Sequence, residues 1–442
     1  MKTKQASLAG FNQSTIAACS ASILLATAGP ACADATSDRI ADLERKLERS
    51  MQVIDELSNK VQRLEAATLK PGAVAGATEA EAVAARITGL EQQVSAIGNR
   101  STEDDGIALH GFADVGLRSG NRGAKKGANL GSVGFYLAPQ FGDRVKSLVE
   151  LIFEASDAGD LAVDLERVQL GYAFSDRLTL WMGRFHTPYG YWNTAFHHGA
   201  QIQTSILRPR FLDFEDNGGI LPAHGVGLWA TGSTGIGSGK LAYDVYAANS
   251  PRIGIENPAI PGSGVLNPNI SGSTNHNAMV GTNVRYSFGG ALKGLTFGVH
   301  AFKGKVDDDA ATAANRTDVR MAGGYGLYLE NDWEVLSEYY RFSNKDISGA
   351  TGSHKSWAGY LQAGRNFGVW TPYARLEKTS LDQTDNYFSQ QASGQSYSRS
   401  VLGLRYDVNS KSALKLELNR TKLTDRDTNT LDEARVQYSV RF

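Results

Sequence analysis

Cysteine is nearly absent from this 442-residue chain: only Cys19 and Cys32 occur, both close to the start. If that leading segment is removed, neither a disulfide nor a thiolate metal site can form. Beyond the first residues there is no run of about 20 consecutive apolar side chains, which excludes a membrane-spanning helix. A charge excess is missing too, with 45 basic residues against 46 acidic ones, so nothing points to a nucleic-acid surface. Mean hydropathy is negative. That argues against a helical membrane protein, but a barrel strand shows lipid only every second residue and keeps its average low. What the chain does have is glycine (48), with tyrosine and phenylalanine at 17 each, a mixture suited to strands, turns and interfacial aromatics.

Residues 1–33 read as a secretory leader. Lys2 and Lys4 give a positive start, residues 16–28 an apolar core, and Ala31-Cys32-Ala33 a small-residue cleavage site before Asp34. The run Ile16-Ala17-Ala18-Cys19 fits a lipid-acceptor box locally, but Asn12, Gln13 and Ser14 before it are too polar for such a signal. Residues 34–67 carry Ile40, Leu43, Leu47, Ile54, Leu57, Val61 and Leu64 at alternating spacings of three and four. Only Ser50 interrupts this seam, and Glu44, Lys46, Lys60 and Glu65 flank it, as in a coiled coil. About four heptads would be roughly 40 Å long. The same pattern would serve a single helix docked on its own domain, but nothing soluble follows for it to dock on. Oligomerisation is therefore expected, with dimer against trimer left open. Residues 68–106 form a linker, broken by Pro71-Gly72 and Gly76, with a second short helix through Val83, Ile87, Leu90, Val94 and Ile97.

From residue 107 to 442 the period becomes two. The final stretch shows it best: Ala434, Val436, Tyr438, Val440 and Phe442 share one face, while Glu433, Arg435, Gln437, Ser439 and Arg441 share the other. An apolar strand ending on Phe442 would be an aggregation hazard at an open edge, but pairs with the first strand in a closed barrel. The pattern predicts an all-β transmembrane barrel of about 16 antiparallel strands preceded by the α-helical coiled coil. Connections after even-numbered strands are short, as at Gly142-Asp143, Asn331-Asp332 and Asn409-Ser410; those after odd-numbered strands are long, as at 119–131, 250–277, 304–317, 343–355 and 381–396. A soluble sandwich gives no such alternation, whereas short periplasmic turns and long outer loops belong to outer-membrane barrels.

The third long connection, 186–224, carries Arg208-Pro209-Arg210 and Asp213-Phe214-Glu215-Asp216. A barrel this size leaves a wide aqueous channel, so a loop folded into it is expected as the constriction. Charges there sort solutes by sign. Arg208, Arg210, Asp213, Glu215 and Asp216 are expected to line that constriction, unless Arg208 and Arg210 merely pair with Asp213 and Asp216 to pin the loop. The adjacent His197-His198 lack a spaced third ligand, so no metal site is predicted. Trp181 and Trp370 read as girdle or lumen packing rather than sugar platforms. No Ser/His/acid spacing singles out an enzyme, and no cofactor is implied.

The leader, the coiled coil, the strand count, the run Trp181-Met182-Gly183-Arg184-Phe185 with Pro188-Tyr189-Gly190 before the third loop, and the terminal Phe442 together resemble the trimeric porins of the DcaP-like and phosphate-selective (O/P-type) group. The resemblance implies an outer-membrane homotrimer in lipid, an inward third loop, and passive uptake of small polar, often anionic, solutes. It also implies that the last strand, with Phe442 and Tyr438, is read by the barrel-assembly machinery. Phosphate-selective members line the pore with a ladder of basic residues. Here the positions expected to face the lumen mix signs: Arg167, Arg285, Arg320, Arg375, Arg399 and Arg435 stand against Glu150, Glu154, Asp244, Glu377 and Glu417. That argues against phosphate specificity. A different class of function is an envelope anchor, its coiled coil reaching toward peptidoglycan in the cell wall.

Overall fold

Residues of period two become strands that pair with their neighbours along the chain until the last meets the first. The structure, a computed structural model, describes residues 109–121, 126–155, 161–196, 199–215, 217–255, 262–268, 277–308, 315–349, 351–425 and 429–442. The expected leader, coiled coil and linker, together with His197, His198 and Asp216, lie outside the described residues. Sixteen strands form the wall. They are β1 (Leu109–Gly120), β2 (Gly127–Leu137, continued by Gln140–Phe141), β3 (Val145–Ala155), β4 (Leu161–Ser175), β5 (Leu178–His186), β6 (His224–Ile236), β7 (Gly239–Asn249) and β8 (Ala278–Ser287). The second half is β9 (Leu295–Asp308), β10 (Arg316–Glu330), β11 (Trp333–Asp346), β12 (Ser353–Arg365), β13 (Trp370–Ser380), β14 (Tyr397–Asn409), β15 (Ser412–Leu423) and β16 (Thr430–Arg441). A short hairpin, Arg252–Ile255 with Gly264–Asn267, sits in the loop after β7.

Closure is antiparallel, with Phe112 of β1 opposite Arg441 of β16 and Leu117 opposite Val436. Among the described strands of the wall, no edge is left to aggregate. The main chain of Phe442 exchanges both hydrogen bonds with Gly111, and its ring lies over that glycine. A Cβ on Gly111 would come within 2.5 Å of the ring, so the seam requires glycine there.

Outside, the apolar positions stand bare: Leu117, Leu170, Met182, Val299, Leu376 and Leu402 are each more than half exposed. Lipid is the surround that makes such a face stable. Aromatics gather at the short-turn end, among them Phe174, Trp333, Phe367 and Trp370, as an interfacial girdle does. The turns at this end are tight; Asn331 and Asp332 both take positive φ (54° and 63°), the geometry of a two-residue hairpin turn. At the other end the connections are longer, although strands reach further than the sequence implies. β9 runs to Asp308 and β11 to Asp346, shrinking the expected loops 304–317 and 343–355 to 309–315 and 347–352.

Inside, the second half of the wall departs from the polar lining of a simple water channel. Phe302, Tyr325, Tyr340, Phe342 and Tyr360 are buried, and they pack with Tyr189, Trp192 and Phe211 of the third loop in one hydrophobic cluster. Loop 381–396 adds Tyr387 and Phe388, whose ring meets Phe342 edge-on at 5.1 Å. This inward core corrects one expected residue. Val319 and Met321 of β10 are buried, while Arg320 between them is exposed on the outer face. Arg320 is therefore no part of the lumen wall. The apolar face of that strand is the one turned inward, and Arg316, Asp318 and Arg320 share the outer one, so assigning apolar residues to lipid reads this strand the wrong way round.

Candidate functional site

The third loop, 187–223, begins with Thr187 and Tyr189, both buried, and turns at Gly190. Gly190 takes φ 60°, and a Cβ there would stand 2.0 Å from Glu338 Oε2 and 2.2 Å from the Tyr340 hydroxyl. Only glycine lets the corner come this close. Just beyond it, Glu338 on β11 accepts four hydrogen bonds. Its Oε1 takes the Trp192 amide (2.8 Å) and the Tyr360 hydroxyl (2.7 Å); its Oε2 takes the Tyr191 amide (3.0 Å) and the Tyr340 hydroxyl (2.6 Å). Asn283 on β8 donates to the Gly190 carbonyl at 3.0 Å.

The loop then crosses toward the far wall and is held there in the same manner. Glu417 on β15 accepts from the Ile206 amide at 2.9 Å and the Leu207 amide at 3.3 Å. Glu377 on β13 accepts from the Arg210 amide at 2.8 Å. Cations catch the loop's carbonyls. Lys415 reaches those of Ala200, Gln203 and Ser205, Arg405 those of Gln201 and Gln203, and Arg375 that of Arg208. A loop buried inside a barrel must satisfy its main chain somewhere, and here charged wall side chains do it. Around these bonds, Trp192 packs edge-on against Tyr360 with centroids 5.6 Å apart, and Phe211 against Tyr340 at 5.3 Å.

Most expected wall residues do face inward but are already committed. Arg375 pairs with Glu377 at 2.8 Å, Arg285 with Asp244 at 2.6 Å, and Arg167 with Glu150. Arg399 approaches Glu433 at 3.8 Å, and Arg435 meets the same carboxylate at 3.1 Å. Mutually satisfied pairs give the lumen little net sign.

The loop's own charges divide. Arg208 is buried, donating to the Leu212 carbonyl (2.8 Å) and Asn193 (3.1 Å), with its guanidinium 4.0 Å from the Phe214 ring centre. Glu215 does not face the channel as expected; it is buried against His224, accepting from its amide at 2.8 Å and meeting its ring at 3.1 Å. Burial alone would push the Glu215 carboxyl up, but His224 reverses this and holds it below its ordinary value. Arg210 sits over the Tyr397 ring, 5.9 Å from its centre. Asp213 accepts from the Phe214 amide at 3.1 Å, and burial raises its carboxyl against the pull of Arg208.

A cavity of about 310 Å³ lies between this loop and the strands on either side of the closure seam. Arg118 of β1, Ser132 of β2, Glu154 of β3 and Arg435 of β16 form one side; Arg208, Asp213 and Asn217 form the other. Among the described lining residues, three cations face two acids. Of these, Arg118 was missing from the sequence expectation, as were the loop-holding Glu338, Lys415 and Arg405. Glu338 and Lys415 each carry their own signal: Glu338 shares its face with Leu336 and Tyr340, and Lys415 lies between the outward Leu414 and Leu416.

No family model matches the sequence, and no curated protein matches it either. Solved structures do match in shape. An anion-selective porin from Comamonas acidovorans is 14% identical, with a TM-score of 0.51 over 76% of this chain and 99% of that one. A loop-deletion form of OmpT, an outer membrane protein of Vibrio cholerae, is 12% identical with a TM-score of 0.50 over 76% and 99%. The outer membrane channel DcaP of Acinetobacter baumannii is 11% identical with a TM-score of 0.46, over 76% and 97%. At these identities the likeness is one of fold: a closed, sixteen-stranded antiparallel barrel of the shape porins have.

Proposed function

We propose that the chain forms a water-filled outer-membrane channel for passive diffusion of small hydrophilic solutes, narrowed by the third loop and favouring anions modestly. The observation that carries this reading is the loop's fastening. Its main chain is held to β11, β13 and β15 by Glu338, Glu377 and Glu417, so the gap is left beyond β15, against β16 and β1 to β3. Arg118, Arg208 and Arg435 against Glu154 and Asp213 support the anion preference. In a narrow, low-dielectric passage even one surplus charge biases which ions enter. The mechanism needs no reaction step: solute sheds part of its hydration, passes the charged gap, and leaves down its gradient.

The reading extends to the remaining expectations. Residues 1–33 direct export, 34–67 form a periplasmic coiled coil, and 68–106 link it to the barrel, which assembles as a homotrimer in the outer membrane. Phe442, with Tyr438, presents the terminal strand to the assembly machinery. The mixed lumen fits a DcaP-like channel better than one with a basic ladder for phosphate.

Planar-bilayer recording of the purified mature protein under a salt gradient tests this. The expected result is steady conductance steps closing in threes with a reversal potential favouring anions. Arg118→Ala should move that potential toward cations, and Arg375→Ala should leave it in place while adding noise. Silence from a folded, heat-modifiable barrel would overturn the reading and leave an envelope anchor.

A further inference from the structure

The outer wall near the long loops is not a uniform apolar belt. Strand register lines up Leu228, Ala247, Val280, Lys303 and Arg320 in one row across β6 to β10. The neighbouring row reads Ala230, Val245, Thr282, Ala301 and Ala322. Small side chains in that second row leave a dent of about 700 Å³, walled by Leu180, Leu228, Val245 and Val280 and reaching Lys303 and Arg320 at one end.

Those two cations stand directly opposite each other, an arrangement that repels unless an anion lies between them. They are not isolated. Lys305, Arg341, Lys345 and Lys355 are also exposed at the loop end of β9 to β12. Asp318, 2.7 Å from Arg320, pairs into the group, and beside it Asp307 pairs with Arg316 at 2.7 Å. An apolar dent ending in surplus positive charge matches an amphiphile with acyl chains and an anionic head. Barrels of this kind point their long loops outward, which puts the cations at the level of outer-leaflet headgroups.

We propose that this face holds a phosphorylated, multiply acylated lipid of the outer leaflet, with its acyl chains in the dent and a phosphate between Lys303 and Arg320. The proposal rests on the outer-membrane placement above. Each basic side chain near an anionic headgroup strengthens binding, so two of them should tighten it by about 30-fold.

The test is native mass spectrometry of the full-length protein titrated with lipid A carrying both phosphates, and with the same lipid stripped of them. Wild type should retain the phosphorylated form about 30-fold more tightly. The double variant Lys303→Gln/Arg320→Gln, at exposed positions that leave strand pairing intact, should lose that preference. Ala247→Phe should weaken both lipids by filling the dent. Equal retention of the two lipids by wild type, or a preserved preference in the double variant, would overturn the proposal. So would efficient cross-linking between copies through Ala247→Cys, because a second subunit would then cover the face. Conductance of the same preparation separates failure of the lipid site from failure of the channel reading.

Discussion

Glu338→Gln is the sharpest perturbation of the loop's fastening. The substitution keeps the side chain's shape but turns one accepting oxygen into an NH2 group that only donates. Each oxygen of Glu338 now serves one main-chain amide and one tyrosine hydroxyl. Whichever oxygen is lost, its tyrosine can turn its hydroxyl and accept, but the amide of Tyr191 or Trp192 cannot. One orphaned buried donor costs about 1–3 kcal/mol, and the remaining bonds weaken by about 1 kcal/mol once the charge is gone. Together, about 2–4 kcal/mol shifts the balance between fastened and released loop by roughly 30-fold to 1,000-fold. Pairing of β11 with β10 and β12 is main-chain and should survive. Single-channel recording should therefore show a folded channel with raised open-state noise or larger conductance. Tyr340→Phe, which leaves both amides bonded, should cost only about 1 kcal/mol and record almost as wild type. Identical traces from Glu338→Gln, Tyr340→Phe and wild type would refute the fastening.

Gly190→Ala should release the same corner by another route, at about 2–4 kcal/mol from a left-handed alanine and a Cβ driven into Glu338; protection of the loop from protease in detergent reads it. Because the Asp213 carboxyl is raised, it should take up its proton while ordinary carboxylates remain charged. Anion preference should thus grow as pH falls from neutral, and reversal potentials measured stepwise should lose that trend in Asp213→Asn. Glu215 carries the opposite sign: its lowered carboxyl lends stability that is complete above the unfolded value of about 4.3 and lost as pH falls through the folded one. Loop noise from this source should appear only at strongly acid pH. Phe442→Ala removes the ring seated over Gly111 and against Phe135, worth about 1 kcal/mol, so refolding in detergent should be nearly intact. If the terminal aromatic is read during assembly, the yield of barrel from cells should fall far more.

The barrel was legible because two independent patterns agree, period two within strands and alternating loop lengths between them. Closure through the last strand followed from the faces of Ala434 to Phe442. The lumen was less legible. Arg320 shows why: Val319 and Met321 turn inward to meet loop residues, so the apolar face is the inner one at that point. Glu215 was misplaced for a related reason, since its partner His224 adjoins it only once the loop has folded back. Glu338 looks like any solvated strand charge until Tyr191 and Trp192, 147 and 146 residues earlier, are brought to it. Such partners are set by where the loop lands, and no local spacing encodes that.

The carboxylate fastenings grip main-chain amides rather than side chains, and this separates attachment from selectivity. Glu338, Glu377 and Glu417 would hold the same path whatever side chains the loop carried toward the gap. Asp213 and Asn217 can therefore vary in charge and size while the loop stays docked. Such a channel can change the solutes it admits by editing a few positions on one rim, without relearning how to fold.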